Sequence, residues 1–209
     1  MTGPTIADAT ALLMETDPVL AALIEQHGPP PRRKRVPASQ RFGSLAEIIV
    51  YQQLAGNAAA SIHGRFEQAL GGTVSPEAVL ATAPEVLASC GLSGAKAASI
   101  RDLAQRVLSG EIELDHIGRL SDEAVVEHLT RVRGIGPWTA QIFLLGTLGR
   151  LDVWPVGDYG VRAGFGRAWG MAGIPTPKEL TLLGEPFRPY RSLVAWYCWR
   201  VVDDRTAQV

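Results

Sequence analysis

The sequence predicts an all-α protein. Helix-capping residues recur along the chain, and apolar residues at helical spacing follow them. Asp17, for example, is followed by Val19, Leu20, Leu23 and Ile24. No stretch alternates apolar and polar residues over a useful length, so strands are not expected. No internal period is evident, although helix-loop-helix units recur. With 209 residues the chain can bury a core, as one domain or as two small lobes.

The composition is that of an ordinary globular chain, with 46% hydrophobic and 20% charged residues. The formal net charge of -1 argues against a protein held on DNA by bulk positive charge, although backbone amides can still contact phosphate. No apolar run approaches a membrane span, and no signal peptide opens the sequence. Cys90 and Cys198 lack metal-ligand spacing, so two buried free thiols in a reducing cytoplasm are expected rather than a disulfide.

The first third of the chain is expected to hold an irregular start and then helices. Residues 1–7 are expected to be irregular, and Asp17-Pro18 caps a helix that Gly28 ends. Ser44 and Glu47 form a capping box that opens the next helix, and another follows from about residue 58 to about residue 70. Residues 29–37 are a connector that is either a solvated linker or a phosphate contact, through a run of four basic residues: Arg32, Arg33, Lys34 and Arg35.

The rest of the chain predicts further helices, each placed by a capping residue or by a proline in the first turn. A long helix among them carries an apolar stripe from Ile100 to Leu108 and ends at Gly110. The helix starts, in chain order, are Ser75-Pro76, Ala83-Pro84, Ser93, Ser121, Pro137, Asp158, Thr176-Pro177 and Pro189.

The stretch from residue 130 to residue 160 carries the clearest functional pattern. The letters V-R-G-I-G, from Val132 to Gly136, form a tight glycine hairpin, and Pro137 opens the apolar helix behind it. The N–H groups of Gly136 and of the helix's first turn have no intrahelical partner, and they lie at the positive end of the helix dipole, which suits a phosphate. Asp158 follows one helix and one loop later, near the start of another helix.

The pattern L-x-x-x-x-G-I-G-P-W-T-A, followed by G-D-Y-G-V-R, resembles the helix-hairpin-helix DNA glycosylases. The branch it resembles is that of 3-methyladenine DNA glycosylase II, in a compact form without the N-terminal β domain of some bacterial relatives. The resemblance implies the HhH-GPD glycosylase fold, in which two helical lobes surround a DNA-binding cleft. Residues 42–150 would form the middle lobe with the hairpin, and residues 1–41 plus 151–209 the lobe that carries Asp158.

The resemblance also implies an activity, the removal of alkylated purines of the 3-methyladenine and 7-methylguanine type by base flipping and hydrolysis of the N-glycosidic bond. Asp158 would be the catalytic carboxylate, and its local alternative is a helix N-cap. Trp138 would line the base pocket, where bifunctional relatives such as endonuclease III carry a Schiff-base lysine, so no lyase activity is expected. Trp199 is either a second pocket aromatic or a core residue. Ile142 stands where some relatives carry a pocket aromatic, so their substrate range is not carried over to this chain.

DNA contacts are implied at three places. Leu54 would fill the gap left by the extruded base, with Gln53 as its polar neighbour, and the alternative is a core leucine. Ser93, Gly94 and Lys96 either bind a backbone phosphate or form a plain capping turn. At the hairpin the implied DNA contacts are Gly134, Gly136 and Thr139. The hairpin carbonyls would hold Na⁺ or K⁺, as the family often does, and the three residues concerned are Thr130, Val132 and Gly134.

The expected partner is double-stranded DNA that contains damaged bases, bound by a monomer in the cytoplasm or at a bacterial nucleoid. No cofactor is required, and no iron–sulfur cluster is expected, because Cys198 is the single cysteine of the C-terminal region. Two alternatives stay open: a glycosylase for another lesion, such as hypoxanthine, etheno-adenine or uracil, and a DNA-binding protein without catalysis. No histidine metal site is expected, because His27, His63, His116 and His128 are scattered.

Overall fold

The computed structural model describes residues 5–31, 35–54 and 56–206, without the side chains of residues 205 and 206. Every regular element in these ranges is helical, which confirms the predicted all-α class. The α-helices are α1 Ile6–Thr16, α2 Pro18–His27, α3 Arg41–Tyr51, α4 Gly56–Ala69, α5 Pro76–Ala81, α6 Pro84–Ser89, α7 Gly94–Leu108, α8 Asp122–Leu129, α9 Pro137–Gly146, α10 Tyr159–Ala168, α11 Pro177–Leu183 and α12 Arg191–Thr206. Short 3₁₀ turns occupy Ala38–Gln40, Ile117–Arg119 and Glu185–Phe187.

The chain divides into two compact units. Unit 1 comprises Met1–Lys34 and Gly149–Val209, and unit 2 comprises Arg35–Leu148. The lobes expected from the sequence, residues 1–41 plus 151–209 and residues 42–150, have their boundaries a few residues further along the chain. None of the described helices combines the length and the apolar character that crossing a bilayer requires.

Unit 1 is built on the close crossing of α10 and α12. Gly164 makes the crossing possible, because a Cβ atom there would overlap the backbone carbonyl of Cys198. Aromatic rings fill the space around the crossing, and Phe165 stacks on Trp169 with ring centroids 4.0 Å apart. The tight helix pair fixes the start of α10 against the middle of α12.

Unit 2 contains α3 to α9 and has its own buried apolar residues. Helix α7 packs against α3, α5 and α6, and its side chains reach the ends of neighbouring helices. Arg101, for example, donates to the carbonyls of Val79 and Thr82 at the end of α5, at 3.2 and 3.0 Å. The buried core side chains of this unit include Leu45, Ile49, Phe66, Ile100, Leu103, Val125, Leu129 and Phe143.

Two local predictions were wrong. Helix α1 begins at Ile6, inside the stretch expected to be irregular, because Thr5 and Asp8 form a reciprocal capping box. Ser44 does not open a helix, since α3 already begins at Arg41. The Ser44 hydroxyl instead shares a 2.6 Å hydrogen bond with the hydroxyl of Thr147.

Several other sequence features have a defined outcome. Asp17 caps α2 as predicted, and Gly28 ends that helix with φ +70°. Both cysteines are buried and free, as predicted. Of the predicted basic run, Arg32, Arg33 and Lys34 lie outside the described residues.

Candidate functional site

The Asp158 carboxylate caps helix α10. Its Oδ1 accepts a hydrogen bond from the backbone N–H of Val161 at 2.8 Å. The capping interpretation of the sequence is therefore correct as local structure. Asp158 is 9% exposed, while the next residue, Tyr159, is 66% exposed. A carboxylate at this position lies at the positive end of the α10 dipole, which favours its negative charge.

The indole of Trp199 contacts the same carboxylate oxygen. Its Nε1–H donates to Asp158 Oδ1 at 3.0 Å, across the crossing of α10 and α12. Its neighbours on α12 have other partners: the Tyr197 hydroxyl donates to the Gly28 carbonyl at 3.0 Å, and Trp196 lies beneath the guanidinium of Arg200. The contact with Asp158 favours a role for Trp199 in the site over simple core packing.

Gly160 leaves the space in which Trp199 meets Asp158. A Cβ atom on Gly160 would lie 2.9 Å from Trp199 Cδ1, 3.2 Å from Trp199 Nε1 and 3.1 Å from Asp158 Oδ1. All three distances are shorter than an ordinary van der Waals contact with a methyl group. Glycine at this position is thus a geometric requirement of the pair, and sequence reasoning missed it.

The loop that leads to Asp158 is anchored at several points. Asp152 accepts two hydrogen bonds from the buried Arg191 side chain, from Nε at 2.7 Å and from a terminal nitrogen at 3.0 Å. The Val153 N–H donates to Ser192 Oγ at 2.9 Å, and the Trp154 indole donates to the Leu180 carbonyl at 2.8 Å. These contacts fix the backbone that positions the carboxylate.

Cys198 also lies beside Asp158, and its thiol is fully buried. Burial raises the pKa of the Cys198 thiol well above its usual range, and the negative charge of Asp158 raises it further. The thiol therefore stays protonated and neutral at physiological pH, and it is a packing group rather than a nucleophile. Asp158 is the acidic group of this site that can act on a substrate.

The glycine hairpin of unit 2 has a buried side and an open side. Val132 and Ile135 are 1% and 4% exposed and anchor the hairpin in the unit. Gly134 has φ +76°, and a Cβ atom there would overlap the Ser99 hydroxyl. Gly136 is the N-cap of α9, and among the described residues nothing lies within 4 Å of the position of its missing Cβ. Internal packing does not demand glycine at 136, whereas close approach by another molecule would.

Thr139, predicted to contact DNA, is 3% exposed. Its Oγ1 accepts a hydrogen bond from Gln52 Nε2 at 2.9 Å. The side chain is therefore engaged inside unit 2. A DNA contact at this residue would have to use its backbone N–H, which belongs to the first turn of α9.

The loop after α3 is a tight turn. Gln52 has φ -50° and ψ 127°, Gln53 has φ +55°, and the Leu54 N–H donates to the Tyr51 carbonyl at 3.3 Å. These values describe a type II turn with glutamine where glycine or asparagine is usual, a strain on the order of 1 kcal/mol. Leu54 is 39% exposed at the tip, which excludes the core alternative for it.

Ser93 and Lys96 occupy the start of α7, and Ser93 is its N-cap. The Ser93 hydroxyl accepts the Lys96 N–H at 3.3 Å, which is the plain capping turn. The Lys96 ammonium donates to the carbonyls of Val50 and Gln52, both at 2.7 Å. Partial burial lowers the pKa of Lys96 below its usual value. This geometry disfavours the phosphate contact predicted for the Lys96 side chain.

The hairpin carbonyls were predicted to hold Na⁺ or K⁺. The Val132 carbonyl accepts the Ile135 N–H at 3.1 Å, and the Gly134 carbonyl accepts Gln52 Nε2 at 3.2 Å. A carbonyl oxygen has a second lone pair, so both oxygens can still serve as ligands, as can that of Thr130. The donor set fits a hard monovalent cation.

The structure thus brings together Asp158 and Trp199 in unit 1, and the hairpin, Leu54 and Lys96 in unit 2. Trp138 belongs to unit 2, in the first turn of α9, and is half-buried. Sequence reasoning missed several supporting residues: Gln52, Asp102, Asp152, Gly160 and Arg191. The sequence did contain one signal for Gly160. Gly160 and Gly164 are four residues apart, a spacing that is typical of glycines at a close helix crossing.

The chain is similar to known DNA repair proteins. A family model described as HhH-GPD superfamily base excision DNA repair protein matches residues 46–189. DNA-3-methyladenine glycosylase 1 of Schizosaccharomyces pombe is 33% identical over 162 residues, covering 76% of this chain and 71% of that protein. This chain covers between 57% and 71% of the length of five curated relatives with glycosylase or glycosidase names.

Two solved structures are similar over nearly the whole chain. The 3-methyladenine DNA glycosylase of Schizosaccharomyces pombe, in complex with abasic DNA, superposes with a TM-score of 0.85 at 30% identity, over 92% of this chain and 95% of that one. DNA-3-methyladenine glycosidase from Bacillus halodurans gives a TM-score of 0.78 at 32% identity, over 99% of this chain and 93% of that one.

Proposed function

Because the chain belongs to the HhH-GPD superfamily of base excision DNA repair proteins, we propose that it is a monofunctional DNA glycosylase for alkylated purines. The substrates would be bases of the 3-methyladenine and 7-methylguanine type. The observation that carries the proposal is the Asp158 carboxylate, which Val161 and Trp199 hold at the start of α10. The names of the similar proteins support the substrate class.

The chemistry asks little of the protein beyond one well-placed negative charge. A purine alkylated at N3 or N7 is cationic, so it leaves without a strong general acid. The sugar then develops positive charge, which the Asp158 carboxylate stabilises while it orients or deprotonates the attacking water. Two hydrogen bonds on Oδ1 fix the plane of the carboxylate before substrate arrives, so little reorganisation is needed.

DNA binding would rest on backbone amides rather than on net charge. The open side of Gly136 and the first turn of α9 provide N–H groups for one phosphate, and the start of α7 at Ser93 provides others. Leu54 would enter the duplex with Gln53 beside it and offset the stacking lost when the damaged nucleotide leaves the helix. A Na⁺ or K⁺ ion on the hairpin carbonyls would add positive charge beside the strand.

The base pocket would be aromatic. Each of the two rings, Trp138 of unit 2 and Trp199 of unit 1, would by itself stack more favourably on a cationic purine than on a neutral one. Because Trp138 stands where bifunctional relatives carry a lysine, the product would be an intact abasic strand. The proposal places the protein in the cytoplasm, or at the nucleoid of a bacterium.

The test is a panel of DNA duplexes, each with one defined lesion, assayed for free base and for strand integrity. The proposal expects release of 3-methyladenine and 7-methylguanine, with strand breaks appearing after alkaline treatment. Release of hypoxanthine, etheno-adenine or uracil alone would move the chain to another lesion class. Binding to every duplex without release of any base would make it a DNA-binding protein without catalysis.

A Trp138→Ala variant tests the pocket. Stacking on a cationic base predicts that 7-methylguanine release falls further than the slow release of normal guanine. The ratio of the two single-turnover rates measures this selectivity. A ratio that does not change would remove Trp138 from base recognition.

A further inference from the structure

One side of helix α7 contacts both of the loops through which unit 2 would engage DNA. Lys96, Ser99 and Asp102 succeed one another at three-residue spacing, which places them along the same side of the helix. The first reaches the loop at residues 51–54, and the other two reach the loop at residues 132–136. We call these two segments the turn and the hairpin.

The Lys96 ammonium fixes the point at which the chain leaves α3. The carbonyls at a helix end lack intrahelical partners. Lys96 Nζ donates hydrogen bonds to two of these carbonyls, those of Val50 and Gln52, both at 2.7 Å. The second of these carbonyls belongs to the turn itself, one residue before the strained Gln53. A turn with a non-glycine residue at positive φ persists when surrounding contacts hold it.

The Gln52 side chain connects the turn with the hairpin. Its Nε2 donates to the Gly134 carbonyl at 3.2 Å and to Thr139 Oγ1 at 2.9 Å. Gln52 is thus held by Lys96 through its carbonyl and holds the hairpin through its amide. A displacement of one segment would be passed to the other through this residue.

Asp102 and Ser99 fix the hairpin from the other end of the same side. Asp102 Oδ2 accepts the backbone N–H of Arg133 at 2.8 Å, and Gly134 packs directly over Ser99. Burial alone would raise the pKa of Asp102, but the Arg133 N–H and the Arg106 guanidinium outweigh it and hold that pKa below its usual value. Asp102 therefore stays charged and keeps its hydrogen bond to the hairpin backbone.

We infer that Lys96 and Asp102 are positioning residues, which hold the turn and the hairpin in one preformed arrangement. Leu54 would then enter the duplex at a fixed distance from the phosphate that the hairpin binds. The inference rests on the proposed function, because it assigns Leu54 to the gap left by the extruded base. Lys96 acts through Gln52 and the turn and does not itself contact DNA. Rigid preorganisation of this kind raises the rate of a step that needs an accurately placed group.

The test compares Lys96→Met with Arg101→Met in the full chain. Arg101 is a matched control, since it also lies on α7 and also donates to two carbonyls at a helix end, those of Val79 and Thr82. Amide hydrogen exchange of the DNA-free protein shows which segment each variant loosens. The Lys96 variant should speed exchange at residues 51–54, and the Arg101 variant at residues 79–82.

The functional readout is the fluorescence of 2-aminopurine placed opposite a tetrahydrofuran abasic analogue, which reports insertion of the turn into the duplex. Lys96→Met should slow this insertion about 10- to 100-fold, while Arg101→Met should leave it unchanged. Lys96→Arg, which keeps a cation and its donors, should restore most of the rate. Gln52→Met provides a second route if Lys96→Met does not fold, and should slow insertion in the same way.

The salt dependence of binding to undamaged duplex distinguishes positioning from a phosphate contact. A positioning residue leaves the slope of log K against log salt unchanged, whereas loss of a phosphate contact reduces it by about one. A reduced slope in Lys96→Met would overturn the inference. So would equal slowing by both variants, or faster exchange at the turn with unchanged insertion.

Failure of the proposed function would look different. A wild-type protein that releases no base from any lesion duplex would lack the glycosylase activity, yet its exchange pattern and its fluorescence signal would still decide the role of Lys96. A Leu54→Ala variant with an undiminished fluorescence signal would show that the turn does not enter DNA, and the inference would then fall.

Discussion

Substitution of Gly160 by alanine should separate activity from stability in unit 1. The new methyl carbon would lie 2.9 Å from Trp199 Cδ1 and 3.1 Å from Asp158 Oδ1. Carbon atoms pack at about 3.5 Å, so the indole must retreat by about 0.6 Å. Its 3.0 Å hydrogen bond to Asp158 then stretches towards the limit at which a hydrogen bond survives.

The expected magnitude is set by the bond that is lost. A hydrogen bond to a charged group contributes about 1.5–3 kcal/mol, and each 1.4 kcal/mol of transition-state stabilisation is about tenfold in rate. Gly160→Ala should therefore lower single-turnover base release about 10- to 100-fold. Folding stability should change less, because overpacking costs about 1–3 kcal/mol while alanine in a helix returns up to about 1 kcal/mol.

The assay is single-turnover release of 7-methylguanine, with urea unfolding measured in parallel. Gly157→Ala is the matched control, since it lies next to Asp158 and among the described residues nothing lies within 4 Å of its missing Cβ. The control should keep both rate and stability. Full activity in Gly160→Ala, with Trp199 displaced in its crystal structure, would refute a positioning role for the indole hydrogen bond.

Three further predictions concern stability. Gly164→Ala should lower the free energy of unfolding by about 3 kcal/mol or more, because its methyl group would overlap the Cys198 carbonyl. A smaller loss in urea unfolding would mean that α10 and α12 can separate at little cost in free energy. Asp152→Ala should cost about 2–3 kcal/mol in the same assay, since it leaves the buried Arg191 with less negative charge, and a neutral result would show that Glu185 suffices as its partner. Burial, and after it the charge of Arg131, lower the pKa of His128 below 6.5 in the folded protein. As the pH falls, the unfolded chain therefore binds a proton before the folded protein does. The contribution of His128 to stability should be complete above pH 6.5 and be lost as the pH falls below it. His128→Gln, whose amide oxygen can still accept the Glu113 N–H, should remove that acid-side loss in unfolding measured between about pH 5 and about pH 7, and an unchanged pH profile would contradict the assignment.

Local signals in the sequence were enough to place most helices. The capping residues at Asp17, Ser75, Ser93 and Thr176 act through hydrogen bonds to N–H groups two or three residues away, so the sequence alone reveals them. Ser44 shows the limit of such signals. Its hydroxyl has a partner 103 positions away in Thr147, and this long-range contact replaced the local capping pattern.

The candidate site divides in the same way. The hairpin and Asp158 could be found because their spacing along the chain is characteristic. The contact of Trp199 with Asp158 joins residues 41 positions apart, and that of Asp102 with the Arg133 N–H joins residues 31 positions apart. Neither contact leaves a periodic or local trace, so the chain must be folded before either residue can be assigned a role.

Base release by Asp158→Asn tests the central claim most directly. Asparagine also caps helices, and its side-chain oxygen can accept the hydrogen bonds from Val161 and Trp199, so the change removes the charge and keeps the geometry. Single-turnover release of 7-methylguanine should fall about 100-fold or more, while affinity for an abasic duplex and stability in urea stay close to wild type. Release at the wild-type rate would contradict the assignment of Asp158 as the catalytic carboxylate.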